Sequence, residues 1–397
     1  MKKVLALVMA VLMIAAMFAG CAPAGGNTDL SGNTDLSGNK DNGAATAAIK
    51  IGTSGPLTGD YAVYGKAVEY GLKLAMEEIN ALGDLQFEVM AQDDEADTEK
   101  AVNAYNNLMD WGMQIMAGPT TSGSAAAAAA ECAADNVFMF TPSASDAAVI
   151  EAGDNIFQIC FTDPNQGKAS AQYIKNNNVA TKVGAIYDSS NPYSAGIFAT
   201  FKSEAAALGL EIAVEAPFTE DTKGDLTNQV TKCQQAGCDL VFLPIYTAEA
   251  VRVLSAADSA NYETKFFGCD GLDGILNVEN FDTKLAEGVM LLTPFDATAE
   301  DAKTQNFVKN YTEKYGLAPN QFAADAYDVG YAIYQACKAG NITADMTAEQ
   351  INTIMIQQLT TMTFDGLTGQ GMTWAENGAV SKEPMAVIIK DGVYVGA

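Results

Sequence analysis

The sequence predicts an α/β protein built as two lobes of similar design, each a Rossmann-like parallel sheet flanked by helices. Three observations predict it. Short β-rich apolar runs alternate with longer helix-patterned segments, which implies parallel strands covered on both faces. The alternation breaks near Asp163-Pro164 and restarts at Lys182. The chain has 397 residues, more than the roughly 250–300 that one core usually holds.

The N-terminus stands apart from this pattern. Met1-Lys2-Lys3 is basic, and Val4 to Gly20 is apolar and uncharged, ending in Phe18-Ala19-Gly20-Cys21. A small pair directly before a cysteine resembles the lipobox of bacterial lipoproteins, which implies cleavage after residue 20 and a lipid on Cys21. The competing reading is a short uncleaved membrane anchor, at the lower limit of length for one. Residues 21–48 carry Gly25-Gly26 and the hexapeptide NTDLSG twice, Asn27 to Gly32 and Asn33 to Gly38. With one Leu per unit such a segment buries no core and reads as a flexible tether.

The folded part starts near Ile49. Ile49 to Thr53 reads as a strand, and Tyr64 to Leu82 as a helix, with Ala67, Gly71, Leu74, Ala75 and Ile79 at helical spacing and Gly83 as its stop. Leu85 to Ala91 is a strand, Asp97-Thr98 caps a helix running through Met109, and Met113 to Ala117 is a strand. Ser124 to Ala134 is an Ala-rich helix and Val137 to Phe140 a strand. The second series has strands at Val183–Tyr187, Glu211–Ala216, Leu240–Leu243 and Lys265–Gly268, with helices at Ser194–Leu208, Leu226–Ala236 and Ala248–Ala257. Glu287 to Thr293 is a strand; helices follow at Ala299–Tyr315, Gln321–Cys337 and Thr347–Leu359, and the chain from Thr363 is β-rich.

Composition narrows function. With 22 Lys+Arg against 49 Asp+Glu, a net charge of −27 argues against nucleic acid, whose phosphates need clustered basic side chains. Arg252 is the single arginine, and there is no histidine. That removes the Ser-His-Asp triad, the His-Cys dyad and histidine metal sites. Carboxylate, Lys or Cys chemistry stays open, yet no catalytic constellation, P-loop, GxGxxG or GxSxG motif is present. Asp93-Asp94-Glu95 with Asp97 precedes a helix, where acids complement the dipole as readily as they hold a cation. Cys132, Cys160, Cys233, Cys269 and Cys337 lie mostly in apolar contexts and read as buried thiols, and no cysteine pair has metal spacing. No metal or cofactor is expected.

In open α/β sheets ligands sit beyond the carboxyl ends of the strands. Four such loops share small, hydroxyl-bearing or aromatic residues: Gly52 to Gly59 followed by Tyr61 and Tyr64; Gly118 to Ser124, with Thr121 and Ser122; Thr141 to Asp146, with Ser143 and Ser145; and Tyr187 to Tyr193. The second opens the Ala-rich helix, whose free N–H groups would bind an anion without a basic side chain. Plain helix capping by Ser or Thr explains the same residues. Two more strand ends deliver Tyr246 and Asp270. Asp270 reads either as a partner for a bound ammonium group or as a turn residue ahead of Gly271.

The order of these pieces resembles the solute-binding proteins of ABC transporters in the branched-chain amino-acid (Leu/Ile/Val-binding) group, with the type I periplasmic-binding-protein fold. The resemblance runs from about Ile49 to the C-terminus through IKIGTSGPLTGDYAVYG, AQDDEADTEKAV, AGPTTSG, FTPSAS, FTDPNQG, VFLPIYTAEA, GCDGL and FDGLTGQGMTW. It implies a three-strand hinge with crossings near Asp163, Thr293 and Thr363, so that 49–163 with 294–363 form lobe 1 and 164–293 with 364–397 form lobe 2. It implies that Ser122 and neighbouring N–H groups, Thr121 among them, take an amino-acid carboxylate. The Ser143 carbonyl and Ser145 hydroxyl would meet its ammonium or carboxylate, Tyr193 and Tyr246 would close over it, and Asp270 would pair with its ammonium. Tyr64 and Phe322 would wall the side-chain pocket. Two departures stand out: Tyr193-Ser194-Ala195-Gly196 replaces a Tyr-Gly, and Asp270 is one methylene shorter than the glutamate of some relatives. The implied protein is a monomeric, lipid-anchored binder on the outer face of the cell membrane that serves a permease. The alternatives are the same fold holding an amide, urea, short carboxylate or aromatic acid, an exported hydrolase, or a sensory ligand-binding domain.

Overall fold

A computed structural model describes residues 47–397; the leader, Cys21 and the tether lie outside the described residues. In chain order the elements are β1 (Ile49–Gly55), α1 (Ala62–Leu82), β2 (Phe87–Asp93), α2 (Thr98–Trp111), β3 (Ile115–Met116), α3 (Ser122–Asp135), β4 (Phe138–Thr141), α4 (Ala147–Ile150), β5 (Ile156–Gln158), α5 (Asp163–Asn176), β6 (Lys182–Asp188), α6 (Pro192–Leu208), β7 (Glu211–Phe218), α7 (Thr227–Ala236), β8 (Leu240–Leu243), α8 (Thr247–Ser259), β9 (Lys265–Gly268), β10 (Met290–Thr293), α9 (Ala302–Tyr315), α10 (Gln321–Ala339), α11 (Ala348–Leu359), β11 (Met385–Lys390) and β12 (Val393–Gly396).

Two sheets organise them. The first, ordered β2-β1-β3-β4-β5, is parallel throughout. The second, ordered β12-β11-β10-β9-β8-β6-β7, is parallel from β7 to β10 and antiparallel at β11 and β12. The expected parallel α/β lobes are therefore present, with an antiparallel edge added where the chain end returns. Both sheets reverse strand order beside their first strand, between β1 and β3 and between β6 and β8. The loops leaving those strands are where a doubly wound sheet opens a crevice.

Apolar spacing explains the cores. Val68, Leu72, Ala75, Met76 and Ile79 of α1 pack with Ala323, Ala326 and Val329 of α10 over the first sheet. Gly71 makes this close approach feasible, because a Cβ there would collide with the Ala323 carbonyl. Ala125, Ala128, Ala129 and Cys132 of α3 bury against Tyr105 and Leu108 of α2, small residues meeting large ones. In the second lobe Phe201, Phe242 and Phe267 share a core with Ile174 and Ile197.

Some expectations needed correction. Helix α5 was not anticipated: its polar run DPNQGKASAQYIKN lacks a broad apolar stripe, and it is secured by packing, with Gly167 too close to α6 to admit a side chain. The short β5 and α4 were missed as well. Phe364, Met372 and Trp374 join the core of the first lobe, and the Trp374 indole N–H donates to the Gln158 carbonyl at 2.9 Å. The stretch expected to enter lobe 2 at residue 364 thus stays on lobe 1 until Lys382, whose ammonium is buried against Asp325 of α10 at 2.7 Å. All six cysteines among the described residues are free and buried.

Candidate functional site

The two reversal points face one another. Tyr64, Thr120, Thr121, Ser122, Ser143 and Phe322 from the first lobe, and Tyr193, Tyr246, Asp270 and Gly271 from the second, line one cavity of about 20 Å³, room for roughly one water. Of the nine ligand-contact residues expected from sequence, eight line this cavity. The ninth, Ser145, is buried just behind it, its N–H donating to Ser122 Oγ at 3.2 Å.

The first lobe's wall is neutral and built from helix start and loop. Thr121 precedes α3 in extended conformation, but its side chain caps nothing and its buried hydroxyl has no partner. The plain capping reading therefore fails for Thr121, and the first N–H groups of α3 keep the freedom that a helix start gives them. Ser122 Oγ accepts from Ser145 N–H and Asp146 N–H (3.3 Å), pinning the loop after β4 and leaving the hydroxyl proton to donate elsewhere. Ser143 Oγ donates to the Thr120 carbonyl at 2.6 Å, and Thr141 Oγ1 to the Pro119 carbonyl at 2.7 Å. The Ser143 hydroxyl is thus committed to the scaffold.

The second lobe's wall is acidic and aromatic. Asp270 begins a single 3-10 turn after β9 and is buried. The Tyr193 hydroxyl donates to its Oδ1 at 2.8 Å and accepts from Gly271 N–H at 2.9 Å. Burial pushes the Asp270 carboxyl up to about 7, although the Tyr193 hydroxyl and Gln166 favour the charged form. The Tyr193 ring stacks on Tyr246, with centroids 4.8 Å apart and planes 8° from parallel. Tyr246 in turn touches Tyr64, which meets Phe322 edge-on at 4.9 Å.

The lobes are tied across the cleft. The Tyr64 hydroxyl donates to the Gly271 carbonyl at 2.6 Å and accepts from Thr247 N–H at 2.7 Å. Gln321 Nε2 of α10 donates to the Asp270 carbonyl at 3.2 Å, and Gln321 N–H to Asp273 Oδ2 at 2.8 Å. At the rim, Tyr61 donates to Glu249 at 2.9 Å and accepts from Lys223 at 2.9 Å, while Arg252 reaches Asp60 at 2.9 Å and Glu249 at 3.4 Å.

Comparison with known proteins places this arrangement. The periplasmic binding protein family matches residues 48–392. The chain belongs to that family. A Leu/Ile/Val-binding protein homologue of Brucella melitensis is 28% identical over 75% of this chain and 79% of its own. The branched-chain amino-acid substrate-binding protein LivJ of Streptococcus pneumoniae, solved with isoleucine, is 27% identical with a TM-score of 0.78, covering 88% of this chain and 100% of its own. A solute-binding protein of Rhodopseudomonas palustris solved with benzoate has a TM-score of 0.78 at 20% identity, covering 88% of this chain and 95% of its own, and shares the fold. The type I architecture and the branched-chain amino-acid group read from the sequence are those of these relatives.

For a periplasmic binding protein the interlobe residues matter as much as the cavity wall, and several of them went unread in the sequence. Thr247, Gln321 and Gln166 sit among unremarkable polar residues, and only the tertiary fold brings them to Tyr64 and Asp270. Asp163 was read as a chain crossing, yet it is buried with no hydrogen-bond partner for either oxygen. Its spacing of three from Gln166 on one helix face was the available signal. The acids at 93–97 serve structure. Asp97 caps α2 through Lys100 N–H, and Asp93 accepts from Leu57 N–H (2.9 Å) and Thr58 Oγ1 (2.6 Å), holding the loop after β1. Among the described residues no cluster has the makings of a metal site, and no helix is long and apolar enough to cross a membrane.

Proposed function

We propose that the protein captures an α-amino acid, aliphatic or otherwise apolar in its side chain, between its lobes and hands it to an ABC permease. One observation carries the reading: a neutral wall of hydroxyls and a helix N-terminus faces a buried carboxylate across a single cavity. That polarity suits a zwitterion. The carboxylate end lies against α3 and Ser122, the ammonium end against Asp270 with the Ser143 carbonyl and the Ser145 hydroxyl, and Tyr64 and Phe322 bound the side chain. A ligand with a carboxylate alone, such as an aromatic acid, or a neutral amide or urea would leave Asp270 holding its proton, whereas an ammonium pairs with its ionised form.

A cavity of about 20 Å³ is smaller than any amino acid, so entry requires the walls to part. We assign that motion to the three chain passages between lobes, near Asp163, after Thr293 and after Lys382, with ligand favouring the closed arrangement through contacts made to both walls. The function is binding without turnover. The tether and Cys21 extend the reading to a lipid-anchored monomer on the outer face of the membrane.

The test is calorimetry of the purified protein, freed of retained ligand, against L-leucine, L-isoleucine, L-valine and L-alanine, with mass spectrometry of whatever ligand the purified sample retains. Binding of at least one amino acid with 1:1 stoichiometry supports the reading. Retention of a non-amine solute together with no response to the panel would refute it.

A further inference from the structure

The end of α7, in the second lobe, holds two thiols that no part of the binding site uses. The helix stops at Ala236, and Gly237 takes the left-handed conformation with φ of 67°. Gly237 N–H donates to the Gln234 carbonyl at 3.0 Å, and Cys238 N–H to the Cys233 carbonyl at 3.1 Å. This is a Schellman stop, which sets the side chain of the residue after the glycine against that of the residue five earlier. Here both of those residues are cysteines, both buried and, in this structure, reduced.

The same stop recurs in the chain without such a pair. It sets Met113 against Leu108 after α2, Val137 against Cys132 after α3, and Leu210 against Ala205 after α6. An apolar contact is all the stop needs, so the cap of α7 does not require two thiols. The neighbouring strand makes room for both. A Cβ at Gly184 of β6 would come 2.7 Å from Cys233 Sγ and 3.1 Å from Cys238 Sγ, so the two sulphurs gather over one glycine. The pairing of β6 with β7 shifts register at that point, between Val183 and Gly184. Main chains joined by a hydrogen bond and sulphurs turned into a common gap meet the two demands of a disulfide, close backbones and converging side chains.

We propose that Cys233 and Cys238 form a disulfide that staples the end of α7 to the start of β8. The periplasmic binding protein family works outside the cytoplasm, where thiol pairs are not held reduced. The oxidant is a low-molecular-weight disulfide. Cys238 Sγ gives up its proton and attacks one sulphur of the oxidant, whose other half leaves as a thiol. Cys233 Sγ gives up its proton in turn and attacks Cys238 Sγ, releasing the second half as a thiol. One protein S–S bond forms, two S–H bonds are lost, and the oxidant is reduced to two thiols. Cys238 acts first because it lies between exposed Gly237 and Asp239. Burial pushes the Cys233 thiol up to about 12 and raises Cys238 as well, but the Lys182 ammonium, bonded to the Ala236 carbonyl, draws Cys238 back. Cys238 precedes β8 and Tyr246 follows it, so the bond lies at the opposite edge of the sheet from the cavity. It acts on stability rather than on the cleft, and it stands independently of the amino-acid reading.

The experiment compares the full chain kept reduced with the full chain in a glutathione buffer rich in the oxidised form, applied to native protein and during refolding from denaturant. Free thiols are blocked with N-ethylmaleimide in denaturant, and trypsin then releases both cysteines in one peptide, Cys233 to Arg252. From the reduced chain that peptide should carry two maleimide groups. From the oxidised chain it should carry none and weigh two hydrogen atoms less than the free dithiol. The bond should form faster on refolding than in the native protein, because burial slows attack on the oxidant. Oxidation should raise Tm by a few degrees, the modest gain of so short a loop. Cys233→Ala should lose both the bond and the dependence of Tm on the oxidant. The peptide readout needs only the wild type, so it decides the matter even if Cys233→Ala fails to fold. Free thiols or bound glutathione at both cysteines in both arms, a bond from either cysteine to a different one, or a bond that lowers Tm overturns the proposal.

Discussion

The two walls of the cleft differ in how complete they are without a ligand. On the first lobe's side two hydroxyls already work for the scaffold, Ser122 holding the loop after β4 and Ser143 holding Thr120, while the buried Thr121 hydroxyl has no partner. What this wall offers a ligand is a helix start fixed in place. On the second lobe's side Asp270 has a tyrosine on one carboxylate oxygen and is sealed from water. A neutral donor set can wait at little cost, because unbonded N–H groups at a helix start are ordinary. A buried carboxylate cannot, and it either keeps a proton or takes a cation. On the amino-acid reading proposed above, the acidic wall would supply most of the discrimination and the neutral wall most of the preorganisation.

Breaking the acidic wall should therefore have the largest effect. Asp270→Ala should weaken amino-acid binding about 100-fold or more, as removal of one partner of a buried charge pair does, with calorimetry as the measure. Undiminished binding would move the ammonium elsewhere. Acidity sharpens the same point. The Asp270 carboxyl, raised to about 7, is protonated below that pH and must lose its proton to hold an ammonium, so affinity should fall as pH drops from 8 towards 5. Stability of the ligand-free protein runs the other way. The folded state binds more protons than the unfolded state between about pH 4 and pH 7, so its stability is greatest at the acid end of that window and declines as pH rises through it. Asp270→Asn should flatten both profiles, read by calorimetry and by melts across pH 5–8.

How far the sequence went divides along the same line. Strand–helix alternation, the Gly83 stop and the helix-opening loop at Gly118–Ser124 were legible because each is a local signal: spacing, a residue suited to positive φ, a hydroxyl before a helix. The residues lining the cavity were legible from those loops and from family resemblance together. What escaped was set by tertiary contact. Helix α5 has too few apolar positions to announce itself and owes its place to Gly167 lying against α6. Nor did Asp163, Gln166, Thr247 and Gln321 stand out in composition, since their roles exist only where separate segments meet. The route of residues 364–382 was misjudged for a related reason: β-rich character says nothing about which sheet a segment joins, and Trp374 settles it by packing on Phe140.

Smaller effects should come from the ties between the walls, and their order tests whether burial or charge sets the strength of closure. Tyr64→Phe removes a buried hydroxyl that joins Thr247 N–H to the Gly271 carbonyl, leaving both without that partner. The loss should be about 1–3 kcal/mol of closure, seen as a several-fold rise in Kd and a more open ligand-free form by small-angle scattering. The rim is weaker. Arg252 carries the only guanidinium in the chain, but its side chain is 31% exposed and its partner Asp60 55%. A pair so hydrated contributes roughly 0–1 kcal/mol and is screened by salt. Arg252→Ala should therefore raise Kd by no more than about fivefold, with the difference shrinking as salt rises from 0.05 to 0.5 M. An effect equal to that of Tyr64→Phe, or one indifferent to salt, would show that Glu249, buried beneath Arg252 and bonded to Tyr61, needs the guanidinium as its counter-charge, and that the rim closes by the same logic as the acidic wall.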